Sequence, residues 1–202
     1  MPENSYFREP HVQSMLLDNL FIFCKLNKDI GYRQGMHEVL APILWVISRD
    51  AIDPQSFANA SQKEARSDSL ILECFNPKYI EHDAFTLFGI VMQTVKSFYE
   101  TGSTSQTAIL APLSSSLIVE RSRRIHEEFL RGVDPELAEH LTAIEVLPQI
   151  FLIRWIRLLF GREFPLDDVL SLWDVLFAED PTLELVDLIC VSMLLRIRQQ
   201  RE

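Results

Sequence analysis

The sequence predicts an all-α, irregular multi-helix fold of about eight or nine helices, and three observations predict it. Apolar residues recur at helical spacing through most of the 202 residues. No stretch alternates apolar and polar residues over a useful strand length. Asp-Pro and Asn-Pro pairs stand ahead of several periodic runs, where an oxygen caps free N–H groups and proline suits the first turn. No repeat period and no coiled-coil heptad organises the chain.

The elements follow in order. Met1-Pro2-Glu3-Asn4 is a polar start. Residues 11–27 read as an amphipathic helix, with Val12, Leu16, Leu20, Phe23 and Cys24 on one stripe. A short turn follows. A second helix runs over about 35–49 on Met36, Val39, Leu40, Ile43, Leu44 and Ile47. Pro42 removes one backbone donor inside it and is expected to kink it. Asp53-Pro54 reads as a cap, and the polar residues to about Asp68 as a short exposed helix or a loop. Asn76-Pro77 marks the next start, and Ile80, Phe85, Phe88, Val91, Val95 and Phe98 a long helix.

Residues 101–116 are rich in Ser, Thr and Gly without periodicity and read as a mobile loop. Residues 117–131 are helical again. Asp134-Pro135 caps a short helix carrying Leu137, Leu141 and Ile144. Residues 148–160 form the next helix, with Gly161 expected as the left-handed residue beyond its end. Pro165 opens a helix running through Trp173 to about Ala178. Residues 183–200 are the last, and this pattern is still running where the chain stops.

Composition narrows the function. The chain is long enough for one domain, two at most. At 48% hydrophobic and 24% charged residues it can fill a sizeable core. A net charge of −10 argues against nucleic-acid binding and against direct anchoring to anionic lipid. Cys24, Cys74 and Cys190 are odd in number, far apart and set among apolar residues, which fits reduced, packed thiols in the cytosol. No signal peptide is visible, and the longest uncharged apolar run falls far short of the roughly 20 residues that span a bilayer.

Several chemistries fail on spacing. His37-Glu38-Val39-Leu40-Ala41 and His126-Glu127-Glu128-Phe129-Leu130 both lack the second histidine of a zinc-protease helix, and no metal site is expected. No Cys-x-x-Cys, Gly-x-Ser-x-Gly or phosphate-cradling glycine loop occurs. His82-Asp83 reads as a polar pair at a helix start. Arg121, Arg123 and Arg124, and Arg196, Arg198 and Arg201, read as solvated helix faces.

One stretch stands out, Gly31-Tyr32-Arg33-Gln34-Gly35-Met36-His37-Glu38, because it breaks two helical patterns at once. Gln34 falls at the mouth of a helix N-terminus, where free N–H groups and the positive end of the dipole gather. Glu38 in the first turn suits that dipole. A neutral amide there can orient a water or a phosphate oxygen without titrating. On spacing alone, a helix-capping glutamine with no partner is the commoner role.

Tyr32-x-Gln34-Gly35-Met36 resembles the Tyr-x-Gln-Gly-Met signature of the TBC domain, the catalytic domain of Rab GTPase-activating proteins. Arg154-Trp155-Ile156-Arg157-Leu158-Leu159-Phe160-Gly161-Arg162-Glu163-Phe164-Pro165-Leu166, followed by Leu172-Trp173-Asp174, resembles that family's third motif. The two stand in the family's order, about a hundred residues apart. The resemblance spans nearly the whole chain except the regions around 53–72 and 101–116.

The resemblance implies a TBC-type fold and a function. GTP hydrolysis needs a positioned water and compensation of the charge building on the transferred phosphoryl group, tasks divided between a glutamine and an arginine finger. In this family the activator brings both residues in trans. Gln34 is then the catalytic glutamine, and Tyr32, Arg33, Gly35 and Met36 are its GTPase-contacting neighbours. Gly35 lets the partner's backbone approach. Tyr32 and Met36 pack rather than react. Arg33 is no substitute finger, because adjacent side chains point in different directions.

Arg154, Trp155, Phe164, Pro165, Trp173 and Asp174 are implied structural support, with Trp155, Leu159, Phe164, Leu172 and Trp173 as core or groove wall. Arg154 and Asp174 can be buried only if paired. Arg157, Arg162 or Glu163 is the alternative GTPase contact. The implied partner is a Rab-family small GTPase that carries GTP and Mg²⁺; this chain has no cofactor of its own. The implied setting is vesicle traffic, in the cytoplasm and peripherally on endosomal membranes.

The family's arginine element, Asp-x-x-Arg, normally lies just before Pro-Glu-Asn, and no Asp-x-x-Arg occurs in these residues. The chain is therefore expected to be a partial TBC domain, truncated at both ends and lacking the finger. That leaves a second reading, a catalytically silent helical binding module for a small GTPase or a trafficking partner.

Overall fold

The structure, a computed structural model, describes residues 4–53, 65–100, 116–180 and 182–199. Among them every regular element is helical. The chain divides into two units, Met1–Gln93 and Thr94–Glu202.

In the first unit a 3₁₀ turn, Ser5–Arg8, leads into α1 (Pro10–Leu26), followed by α2 (Met36–Asp50), α3 (Ala65–Cys74) and α4 (Ile80–Val95). Asn4 starts the turn by accepting the Tyr6 N–H at 3.0 Å. Pro10 opens α1, where its missing donor is one the helix leaves free anyway. Asn27 leaves helical geometry, and its backbone N–H and side-chain amide both donate to Phe23 O at 2.9 Å, closing the helix. The core takes up most of the predicted stripes of α1 and α2, with Leu16, Cys24 and Ile47 only partly buried. Val12, Leu20 and Phe23 of α1 and Met36, Val39, Leu40 and Leu44 of α2 are buried with Ala84, Phe88 and Met92 of α4. The Phe23 and Phe88 rings meet edge-on at 4.9 Å. Pro42 lies buried inside α2. Tyr6 is tied to the far end of α2 through a hydrogen bond to Ser48 and an edge contact with Trp45, 5.0 Å between centroids.

In the second unit a 3₁₀ turn, Lys96–Phe98, precedes α5 (Leu117–Arg124). α5 runs through a π-helical turn, Ile125–Leu130, into α6 (Arg131–Val133). Then come α7 (Pro135–Ala143), α8 (Gln149–Arg157), α9 (Leu166–Glu179) and α10 (Leu185–Gln199). With α5, the π turn and α6 counted as one rod, the described residues form nine helices, in line with the expected eight or nine. Asp134 caps α7 by accepting the Leu137 N–H at 3.0 Å.

Four expectations need correction. α3 was not anticipated as a helix of this extent; its Leu70 and Ile71 are exposed and leave no clear stripe. Ile144, expected on the apolar face of α7, is exposed beyond its end. α8 stops at Arg157, short of residue 160, and the left-handed residues are Leu159 (φ 44°) and Phe160 (φ 63°), not Gly161. The arginine clusters are not merely solvated. Arg121 Nε and Arg124 Nη2 each reach a carboxylate oxygen of buried Asp187 on α10 at 2.6 Å. Arg198 returns from α10 to Asp134 and, at 2.8 Å, to Glu136. Asp53-Pro54 and the expected loop at 101–116 fall largely outside the described residues.

Candidate functional site

The site is a turn made by glycine. The Met36 N–H donates to Arg33 O at 3.2 Å, closing a four-residue turn with Gln34 and Gly35 at its centre. Gly35 takes φ 106° and ψ −22°, near the third-position geometry that a type II turn reserves for glycine. The same residue caps α2, its carbonyl accepting the Glu38 N–H at 2.9 Å. One residue later, Met36 is fully buried and receives the Arg33 N–H on its sulfur at 3.4 Å. Gln34 is thereby raised at the surface beside the first free N–H groups of α2, while its neighbour Met36 anchors the turn in the core.

The flanks are tied together. Tyr32 and His37 meet across the turn, hydroxyl to Nδ1, at 3.1 Å. His37 Nε2 lies 3.6 Å from a carboxylate oxygen of Glu38, which is nearly buried in the first turn of α2. Burial first, then the nearby Cys24 and Glu38, pushes the Tyr32 phenol above its ordinary value, so it keeps its proton at neutral pH. Tyr32 and His37 also line, with Leu16, Leu17, Leu20 and Phe21 of α1, an apolar groove of about 640 Å³. Tyr32, Arg33, Gln34, Gly35 and Met36 thus form one local arrangement, with Tyr32 and Gln34 exposed, Arg33 partly buried, and Gly35 and Met36 buried.

The second motif lies in the second unit. Trp155 and Trp173 are core residues, and Trp173 Nε1 donates to Leu159 O at 2.9 Å. Arg154 is exposed but paired: its guanidinium makes two bonds to Glu163, at 2.8 and 3.1 Å. Phe164, Pro165 and Asp174 lie at the surface, and Phe164 leans on Phe160 with 6.2 Å between centroids. Leu172 is partly buried. Arg157 is engaged locally: its Nε donates to Phe98 O at 3.2 Å, and its carbonyl accepts the Tyr99 hydroxyl at 2.7 Å. His82 and Asp83 pair at 3.1 Å on the exposed first turn of α4. Sequence reasoning missed Asp187 and the Tyr32–His37 pair. An acid set among the apolar residues of the last helix was the available signal for the first. The second had none, because residues five apart face each other only once a turn intervenes.

The model of the RabGAP-TBC family, the Rab-GTPase-TBC domain, matches residues 1–201. The chain belongs to this family. Human TBC1 domain family member 5 is 39% identical over 210 residues, covering 98% of this TBC chain and 26% of the relative. TBC1 domain family member 5 homolog B of Dictyostelium discoideum is 28% identical over 295 residues, covering 98% and 28%. Human TBC1 domain family member 13 is 32% identical over 182 residues, covering 90% and 38%. The TBC chain therefore spans about a quarter of the length of the first of these relatives. Among solved structures, the Ypt/Rab-GAP domain of Gyp1p superposes with a TM-score of 0.72 at 18% identity, over 96% of this chain and 56% of that one. That likeness is one of fold, and it confirms the all-α TBC architecture.

Proposed function

We propose that this chain is a GTPase-activating domain that binds a Rab-type small GTPase and presents Gln34 to the water that attacks the GTP γ-phosphate. One observation carries the reading: the turn holds Gln34 exposed at the mouth of α2, with Gly35 buried beneath it and Met36 in the core. The partner supplies GTP and Mg²⁺, and this chain places a neutral amide that neither titrates nor competes for the metal. Tyr32 and Arg33 meet the GTPase around Gln34, whereas Gly35 and Met36, expected as contacts, are buried and shape the turn from beneath. The block from Arg154 to Asp174 acts as scaffold, a role supported by the burial of Trp155 and Trp173 and by the closed Arg154–Glu163 pair. The domain works in the cytoplasm and peripherally on endosomal membranes; among the described residues no helix is long and apolar enough to cross a bilayer.

A second reading is a silent binding module. The feature favouring it is that these 202 residues contain no Asp-x-x-Arg element. An arginine finger is worth about 10³–10⁵ in rate. Single-turnover phosphate release across a panel of Rab proteins separates the readings. The full-length protein is expected to stimulate at least one Rab, and the 202 residues alone to stimulate it far less. Binding without stimulation by the full-length protein would favour the silent module.

A further inference from the structure

We infer that His37 is a positioning residue for Gln34, acting through a side-chain clip to Tyr32 that closes over the Gln34-Gly35 turn. The inference rests on reading Gln34 as the water-orienting group.

Gln34 is exposed, so its side chain is not held by packing. Its position must come from the backbone beneath it. That backbone contains Gly35 in the left-handed region, the residue type with the most conformational freedom to lose on ordering. The Met36–Arg33 bond closes the turn from beneath, and a side-chain bond between its flanks holds it from above.

The span is present. Tyr32 precedes the turn and His37 follows it in the first turn of α2, and their polar atoms meet at 3.1 Å. Glu38, an acceptor, faces the other ring nitrogen of His37 at 3.6 Å. That placement favours the proton on Nε2 and leaves Nδ1 to accept from the Tyr32 hydroxyl. Glu38 is held at the N-terminus of α2, where the helix dipole favours its charge. The clip thus connects the turn to a fixed point on the helix. A displacement of a catalytic group by about 1 Å can cost up to a hundredfold in rate, so an exposed hydrogen bond of modest stability can matter to catalysis.

The test uses Tyr32→Phe, His37→Phe, the double variant and His37→Asn in the full-length protein, with a Rab it stimulates. Each Phe variant is expected to lower single-turnover hydrolysis at saturating activator by roughly tenfold, and His37→Phe, outside the GTPase contacts, to keep affinity for the GTPase within about twofold. The double variant should be no slower than either single, because both remove the same contact. His37→Asn keeps an acceptor near the Nδ1 position and should restore most of the rate. In parallel, hydrogen exchange at the Met36 amide, which closes the turn, should quicken in both Phe variants and recover in His37→Asn. Losses that multiply in the double variant, a loss confined to affinity, or unchanged exchange and rate would each overturn the inference. Gln34→Ala separates the two levels. If it abolishes stimulation while the clip variants leave the rate unchanged, the clip alone is wrong; if no Rab responds to the parent protein, the functional reading fails with it.

Discussion

Leu159 and Phe160 hold successive left-handed conformations that non-glycine residues rarely adopt, each costing of order 1–3 kcal/mol. Their surroundings over-determine them. Both side chains are fully buried. The Phe160 N–H reaches back to Trp155 O at 2.9 Å and the Leu159 N–H to Ile156 O at 3.2 Å, the bond pair that closes a Schellman helix end. The Trp173 indole then takes the Leu159 carbonyl. The two tryptophans should therefore respond differently to substitution. Replacing either with Ala is expected to cost about 3–5 kcal/mol. Trp173→Phe leaves the Leu159 carbonyl without this donor, whereas Trp155 Nε1 is buried with no hydrogen-bond partner among the described residues. Urea unfolding followed by circular dichroism should rank Trp173→Phe below Trp155→Phe in stability. Equal midpoints would show that the indole–carbonyl bond does not fix the turn.

At the scale of elements, α10 is fastened to α5 by charge. Asp187 is fully buried and takes Arg121 on one oxygen and Arg124 on the other. Leu183 O accepts a further bond from Arg121. Asp187→Ala is expected to destabilise the protein by about 3 kcal/mol, since it leaves Arg121 largely buried without its counter-charge. A thermal melt that does not move would show the pair to be incidental. The helices themselves were legible where caps and stripes agreed: Asn27, Asp134 and Pro165 all stand at or next to observed helix ends. α3 was hidden because its adjacent Leu70 and Ile71, both exposed, mark no helical stripe. The end of α8 was misplaced because left-handed backbone there is stabilised by burial and tertiary hydrogen bonds, which local sequence does not carry. The π turn in Ile125–Leu130 leaves no periodic signature of its own. At the candidate site, the break in two helical patterns marked the turn, but the Tyr32–His37 clip exists only once the turn has formed.

On the scale of the whole molecule, the chain forms two helical units of one TBC domain and spans a fraction of its relatives' length. Its central claim rests on one exposed amide in the first unit. The most direct test pairs two measurements on Gln34→Ala in the full-length protein: single-turnover GTP hydrolysis by a stimulated Rab, and affinity for that Rab loaded with a ground-state GTP analogue. Gln34 contributes few packing contacts at the surface, so the fold should lose less than about 1 kcal/mol. A group that acts mainly in the transition state shows its loss in rate and not in ground-state binding. The expected result is loss of most stimulation with affinity nearly unchanged and the helical signal intact. Hydrolysis as fast as the parent's would contradict the account, and unfolding of the variant would make Gln34 a structural cap instead.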